Sequence, residues 1–255
     1  MITNDKSVGG SDSHDWAFLE PRTSLVSRHE LLKMVVSLAY EVPGNIMEFG
    51  VASGNSTRVI RKAATKIERE YEHDARKRIF ACDSFEGLPE KYENAEVGAF
   101  ACKPPNIRGV EIVKGYFDDS LDDKLAEEVG SVSFASLDAD LYSSTICVLN
   151  WLTPLLHTGS LLLFDEFLGG DEAEKRAFEE WTTNTGTKAV LIGQFLRKPS
   201  AWGERPDCRT LYQVVKDDVT DKNQKKQTLK RKSSIFLRQR SPAIHKAVRS
   251  LYKNI

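Results

Sequence analysis

Two acidic groups in this chain directly follow short apolar runs. Asp138 and Asp140 come after Val132 to Leu137, and the pair Asp165-Glu166 comes after Leu161 to Phe164. Runs of this kind read as buried parallel strands, which places the acids at strand carboxyl ends, where open α/β sheets hold their ligands. No Lys or Arg stands beside them in sequence, so carboxylates converging there would repel one another unless a hard cation joined them. The combination points to a Mg²⁺-assisted reaction at the rim of a sheet. The plain alternative makes the same four residues helix caps and solvated strand ends.

The elements that must position these acids follow from spacing. Ser24 to Tyr40 carries apolar residues at helical intervals and stops before Pro43-Gly44. Strands are expected at 45–50, 78–83, 110–114, 132–138, 160–165, 188–192 and 210–215. Helices are expected at 55–72, 120–129, 144–156 and 171–181. Strand and helix alternate, which is the pattern of a doubly wound α/β sheet.

The turn after the first strand, Glu48-Phe49-Gly50-Val51-Ala52-Ser53-Gly54-Asn55-Ser56, is glycine-rich and opens a helix. Such a turn lets backbone approach a ligand and offers helix amides to an anionic group. Glu48 stands where dinucleotide enzymes carry their first Gly. A carboxylate there suits a cationic ligand such as S-adenosylmethionine better than a pyrophosphate, which disfavours an NAD(P)-dependent oxidoreductase. Asp83 ends the second strand, where an acid commonly accepts hydrogen bonds from ribose hydroxyls, and Ser84 to Pro89 turns sharply after it, with Phe85 or Leu88 available to pack on a cofactor.

These residues resemble the macrocin-type (TylF-like) sugar O-methyltransferases, a metal-dependent family of class I, S-adenosylmethionine-dependent enzymes. Thr23 to Arg28 looks like the family's leading helix over the cofactor. Glu48-Phe49-Gly50-Val51 with Gly54 and Ser56 looks like its first motif, and Asp83-Ser84-Phe85-Glu86-Gly87-Leu88-Pro89 is similar to its D-S-F-x-G-L-P block. Lys114 to Leu121 resembles the stretch near the adenine. Asp138-Ala139-Asp140-Leu141-Tyr142-Ser143-Ser144-Thr145 with Asp165-Glu166 resembles the D-x-D-x-Y-x-S-T segment and its acidic pair. Glu166 departs from the usual Asp, and Ser160 replaces the second Gly of a Gly-Gly turn.

The resemblance implies a Rossmann-like, mostly parallel seven-stranded sheet over residues 16–218, with a helical cap at 16–44. It implies S-adenosylmethionine on Thr23, Ser27, Glu48, Gly50, Ser53, Gly54, Ser56, Asp83, Ser84, Phe85, Gly115, Tyr116, Phe117, Asp138 and Tyr142. It also implies Mg²⁺ on Asp138, Asp165 and Glu166, with Asp138 as catalytic residue, and association as a homodimer. The expected reaction is in-line methyl transfer to a sugar hydroxyl, a feeble nucleophile whose pKa, like that of water, is about 15.7 unless it is activated. His157 reads as structural, and His29 lies within reach of the site or on the surface.

Composition bounds the rest. The 255 residues are 40% hydrophobic, enough for a substantial core. No apolar run approaches the roughly 20 residues of a membrane span, and residues 1–15 lack the features of a signal peptide and of a packed segment. Cys82, Cys102, Cys147 and Cys208 are scattered, as reduced thiols of a cytoplasmic protein would be. The net charge of −1 hides an asymmetry: Val219 to Ile255 carries eleven Lys and Arg against Asp221, so the preceding residues carry −11. That basic tail (219–255), a lysine-rich linker and then a short amphipathic segment, is suited to peripheral contact with an anionic membrane, a polyanion or a partner subunit. It has no aromatic interleaving for specific nucleic-acid binding. A non-catalytic methyltransferase-like module acting through the tail is the non-enzymatic alternative.

Overall fold

A computed structural model describes residues 27–70, 76–168, 172–196 and 208–216. Thr23, the unstructured N-terminus expected at 1–15 and the basic tail lie outside the described residues.

The chain runs α1 (Arg28–Ala39), β1 (Asn45–Phe49), α2 (Asn55–Glu70), β2 (Ile79–Asp83), β3 (Glu111–Lys114), α3 (Phe117–Ser120), α4 (Asp123–Val129), β4 (Val132–Leu137), α5 (Tyr142–Leu152), β5 (Leu161–Phe164), α6 (Ala173–Thr185), β6 (Lys188–Leu196) and β7 (Cys208–Val215). One seven-stranded sheet has the order β3-β2-β1-β4-β5-β7-β6. β1 to β5 pair in parallel, and β7 inserts antiparallel between β5 and β6. All seven expected strands form. The order reverses between β1 and β4, and a crevice opens at that switch point.

Side-chain parity sorts the core. Ile46 of β1 faces α1 and α2, where Leu31, Leu32, Val35, Ile60 and Ala64 pack against Ile79, Phe134 and Leu161. Met47 and Phe49 face the other layer with Phe80, Leu137, Leu149, Phe164 and Trp181. In that second layer Phe178 of α6 stacks on Tyr212 of β7 with ring centroids 4.4 Å apart. The Trp181 indole N–H donates to Thr153 Oγ1 at 2.8 Å, so α6 is fixed in both contact and register.

One expected helix, 120–129, is two. The Asp122 carboxylate accepts from Leu125 N–H at 2.7 Å and caps a fresh helix, α4, so α3 ends at Ser120. α5 begins at Tyr142, two residues earlier than its sequence pattern suggests, and that shift re-aims Tyr142.

Candidate active site

The carboxyl ends of β1, β2, β3 and β4 surround a cavity of about 510 Å³. Its floor is local backbone. Gly50 adopts φ +83°, and a Cβ there would fall 1.9 Å from the Asp138 carbonyl oxygen, so the turn after β1 lies directly against the end of β4. The Asp138 N–H donates to Phe49 carbonyl oxygen at 2.9 Å, which extends the β1–β4 pairing past both strands.

Asp83 organises the adjoining wall. Its Oδ2 accepts from the N–H groups of Val51 (2.7 Å) and Ala52 (2.8 Å), and its Oδ1 accepts from Phe85 N–H (2.7 Å). Ser84 Oγ accepts from Glu86 N–H and donates to Gly87 carbonyl oxygen, so the D-S-F-x-G turn is closed by its own side chains. Gly50, Asp83, Ser84, Gly115, Tyr116, Phe117 and Asp138, each expected from sequence, line the cavity.

Other expected residues lie elsewhere. Glu48 shares the Ile46 side of β1 and points under the floor, wholly buried, where Thr57 Oγ1 donates to its Oε2 at 2.5 Å. Its Oε1 has no partner. Burial raises its pKa to about 7, against hydrogen bonds from Ser56 and Thr57. Ser56 is therefore buried beside Glu48 and not on the cavity. Ser27 is spent on the α1 capping box, accepting from Glu30 N–H at 3.2 Å while the Glu30 carboxylate accepts from Ser27 N–H. Ser53 and Gly54 are outside the lining, the Ser53 carbonyl accepting from Arg58. Phe85 is buried against Val51 and Ala81, and Leu88 and Pro89 take the wall position instead. Tyr142, in the first turn of α5, donates to Glu180 Oε2 at 2.5 Å and lies under Arg176, facing α6. The ring nitrogens of His157 contact the carbonyls of Pro43 and Thr158, a structural role, and His29 is exposed.

The acid cluster differs most from expectation. Arginines distant in sequence supply the missing positive charge. Arg28 Nη2 donates to Asp138 Oδ2 at 2.5 Å, and Arg28 Nε lies 3.4 Å from Asp165 Oδ1. Arg209 of β7, nearly buried, donates to the same Asp165 oxygen at 2.6 Å. Asp138 remains 25% exposed at the side chain, toward the cavity. Burial raises the Asp138 pKa, the charge on Asp165 adds to that, and Arg28 opposes it. Behind the cluster Glu174 accepts from Glu166 N–H at 3.0 Å, and its Oε1 is buried without a partner. Burial holds the Glu174 carboxyl well above its ordinary pKa. Among the described residues no three His, Cys, Asp or Glu side chains converge as metal ligands would.

Glu90, Phe100 and Cys147 also line the cavity and carry no functional signal in sequence, whereas Ala52, Asp118 and Ser144 lie within the quoted motifs without being singled out by them. Ser144 and Cys147 stand three residues apart in α5 and so share a helix face. Phe100 sits in an irregular loop that spacing does not resolve.

The family described as a methyltransferase domain matches residues 47–167. The 8-demethyl-8-(2,3-dimethoxy-alpha-L-rhamnosyl)-tetracenomycin-C 4'-O-methyltransferase of Streptomyces olivaceus is 28% identical over 152 residues, 51% of this chain and 55% of that protein. Demethyldecarbamoylnovobiocin O-methyltransferase of Streptomyces niveus is 23% identical over 183 residues, 62% of this chain and 66% of its own length. The chain thus spans a little over half of the first of these relatives and just under two thirds of the second. Among solved structures, the O-methyltransferase NovP (19% identity, 74% of this chain, 80% of that one, TM-score 0.53) and the calicheamicin methyltransferase CalS11 (22%, 74%, 80%, TM-score 0.51) share the fold.

Proposed function

We propose that this protein, whose residues 47–167 match the family described as a methyltransferase domain, is an S-adenosylmethionine-dependent O-methyltransferase acting on a hydroxyl of a sugar or glycoside. The observation that carries the reading is the cavity at the β1/β4 switch point, with Asp83 on one wall and the Asp138 carboxylate on the other. The relative named for 4'-O-methylation of a rhamnosyl tetracenomycin supports a sugar acceptor.

When bound, the cofactor supplies a methyl group on a positively charged sulfonium. The residues present fit it. The cavity lining holds Asp83, Glu90, Asp118, Asp138 and Asp140 and no Lys, Arg or His, so its field favours a cation. The backbone at Gly50 leaves room for close approach, since any side chain there would displace Asp138. Asp83 places the Val51–Ala52 turn, and its carboxylate, with room for about four hydrogen bonds, has capacity left beyond its three amides.

In this reading Asp138 takes the proton of the acceptor hydroxyl. Burial makes it a stronger base than an exposed carboxylate, and its exposed edge faces the cavity. Arg28 fixes the Asp138 carboxylate from behind, and Arg209 fixes Asp165, so the pair stays ionised at close quarters without mutual repulsion.

The magnesium ion expected on Asp138, Asp165 and Glu166 does not fit this arrangement. The Arg28 guanidinium lies between the first two carboxylates, and a dication placed there would meet its charge at contact distance. The proton transfer above is therefore assigned to the side chains alone.

The test is a thermal-shift and transfer experiment. S-adenosylhomocysteine should raise the melting temperature where NADH does not, and labelled methyl should pass from S-adenosylmethionine to a rhamnoside. Stabilisation by NADH instead of S-adenosylhomocysteine would sink the proposal.

A further inference from the structure

The connection from β2 to β3, residues 84–110, is long for a strand-to-strand link and is folded into a roof over the cavity. Leu88 N–H donates to Ala99 carbonyl oxygen at 3.0 Å, Gly98 N–H donates to Leu88 carbonyl oxygen at 2.9 Å, and Cys102 N–H donates to Phe85 carbonyl oxygen at 3.1 Å, so the outgoing and returning limbs hold each other. The outgoing limb crosses the mouth. Ser143 Oγ, at the start of α5, donates to Glu90 Oε1 at 2.5 Å. Since α5 follows β4, this contact carries a loop that leaves β2 across the end of β1. The returning limb lays Pro105 and Ile107 against Gly54, on the turn after β1.

On this roof stand the two large exposed apolar side chains among the described residues, Val97 and Phe100, each 65% exposed. Phe100 also lines the cavity and has φ +68°, a conformation that bulky L-residues rarely adopt. Ala52 and Asp140, which line the same cavity, also have positive φ. Backbone strain of this kind gathers at functional sites, where it holds a group that packing alone would not place. An exposed aromatic ring held at a cavity mouth by a strained residue in a cross-braced loop has no core to serve.

We propose that Phe100 is the platform on which the acceptor ring lies, with Glu90 and Ser143 beside it as hydrogen-bonding partners for ring hydroxyls, and that the acceptor is a neutral glycoside. The proposal rests on the methyltransferase reading above and deepens it. A hexose ring has an apolar C–H face that matches an aromatic face and an edge of hydroxyl donors that matches carboxylate and hydroxyl acceptors. The charge of the lining selects among sugars. Five carboxylates line the cavity with no basic residue beside them, and Arg28, outside the lining, offsets the charge of Asp138, so the net negative field repels a diphosphate and an uncharged glycoside is the better occupant.

The test uses the full chain loaded with S-adenosylhomocysteine, p-nitrophenyl α-L-rhamnopyranoside as probe, and saturation-transfer NMR for binding. Phe100→Ala should weaken glycoside binding about tenfold, a change of about 1.4 kcal/mol, leave S-adenosylhomocysteine affinity within about twofold, and be largely rescued by Phe100→Trp. Phe100→Gly should lose the glycoside in the same way while holding or raising the melting temperature, because glycine relaxes the backbone. A thymidine-diphosphate rhamnose should bind more weakly than the probe. Unchanged glycoside affinity in Phe100→Ala overturns the platform, and so does a matching loss of S-adenosylhomocysteine affinity, which would assign the ring to the cofactor. Tighter binding of the nucleotide sugar overturns the neutral-acceptor assignment. A wild type that binds the glycoside through Phe100 but transfers no methyl keeps this subsite and sinks the methyltransferase reading. A wild type that transfers methyl to the glycoside regardless of Phe100 does the reverse, and one that neither binds nor transfers sinks both.

Discussion

The two walls of the cavity are built by different means. The wall at β1 and β2 is made of backbone fixed by side chains a few dozen residues away at most: Asp83 gathers three amides, and Gly50 lets the turn lie against β4. The wall at β4 depends on charged side chains fixed by one another, Asp138 on the cavity being held by Arg28 from α1, which also meets Asp165 behind it, where Arg209 from β7 joins. A backbone-built wall tolerates little change of shape but carries little charge. A side-chain-built wall can change its protonation and its partners, as proton transfer requires.

The largest effect that would break this contrast belongs to Asp138. Asp138→Asn should lower kcat on the order of a thousandfold, within the range for loss of a positioned base, with S-adenosylhomocysteine binding retained by calorimetry. Loss of cofactor affinity with kcat intact would move Asp138 to the other wall.

Beneath the backbone-built wall, Glu48 gives a pH signature. Its folded-state pKa of about 7 lies above the unfolded value, so the native state binds the extra proton. The associated stability is full below the unfolded pKa and is lost as pH rises through about 7, on the order of 3 kcal/mol in all. Chemical denaturation at pH 5 and pH 8 should show that loss, and Glu48→Gln should flatten it. An unchanged slope in the variant would place the titration elsewhere, Glu174 being the first alternative.

Asp83→Ala frees the Val51, Ala52 and Phe85 amides together and should weaken S-adenosylhomocysteine about a hundredfold, while residual kcat at saturating cofactor stays near wild type. A kcat defect at saturation would mean that the two walls are not separable.

The smallest effect sharpens the contrast most. Arg28→Met should lower kcat about tenfold without altering cofactor affinity, and Mg²⁺, without effect on the wild type, should restore part of the loss by occupying the vacated position between Asp138 and Asp165. A wild type inactivated by chelation and restored by magnesium would show that the guanidinium gives way to the ion.

Legibility in the sequence followed the same division. The strands are plain because each is an apolar run with a punctuated end, and the turn after Asp83 is plain because the contacts that close it, Asp83 with Phe85 and Ser84 with Glu86 and Gly87, are local. Tyr142 turns toward α6 and not the cavity because its direction depends on where α5 begins, and Leu141 gives no side-chain cap to mark that point in sequence. Glu48 was placed in the site by its motif, although its two-residue spacing from Ile46 already put it on the α1/α2 side of the sheet. Arg28 and Arg209 are separated from their partners by 110 and 44 positions, and no local pattern joins them. The acids have no counter-charge beside them in sequence and two in space, because neighbours in sequence are a poor sample of neighbours in space.

The reversed strand β7 has a consequence for the order in which the molecule becomes competent. As the chain leaves the ribosome, everything from Asn45 to Ser144 can settle into the Asp83 turn and its surroundings before the later strands exist. Asp165 then waits for Arg209, some forty residues behind it, to enter between β5 and β6. A nascent chain arrested before Cys208 should therefore leave Asp165 with Arg28 but without the nearer guanidinium of Arg209, and hydrogen exchange on such a chain should find β5 open while β1 and β2 are closed.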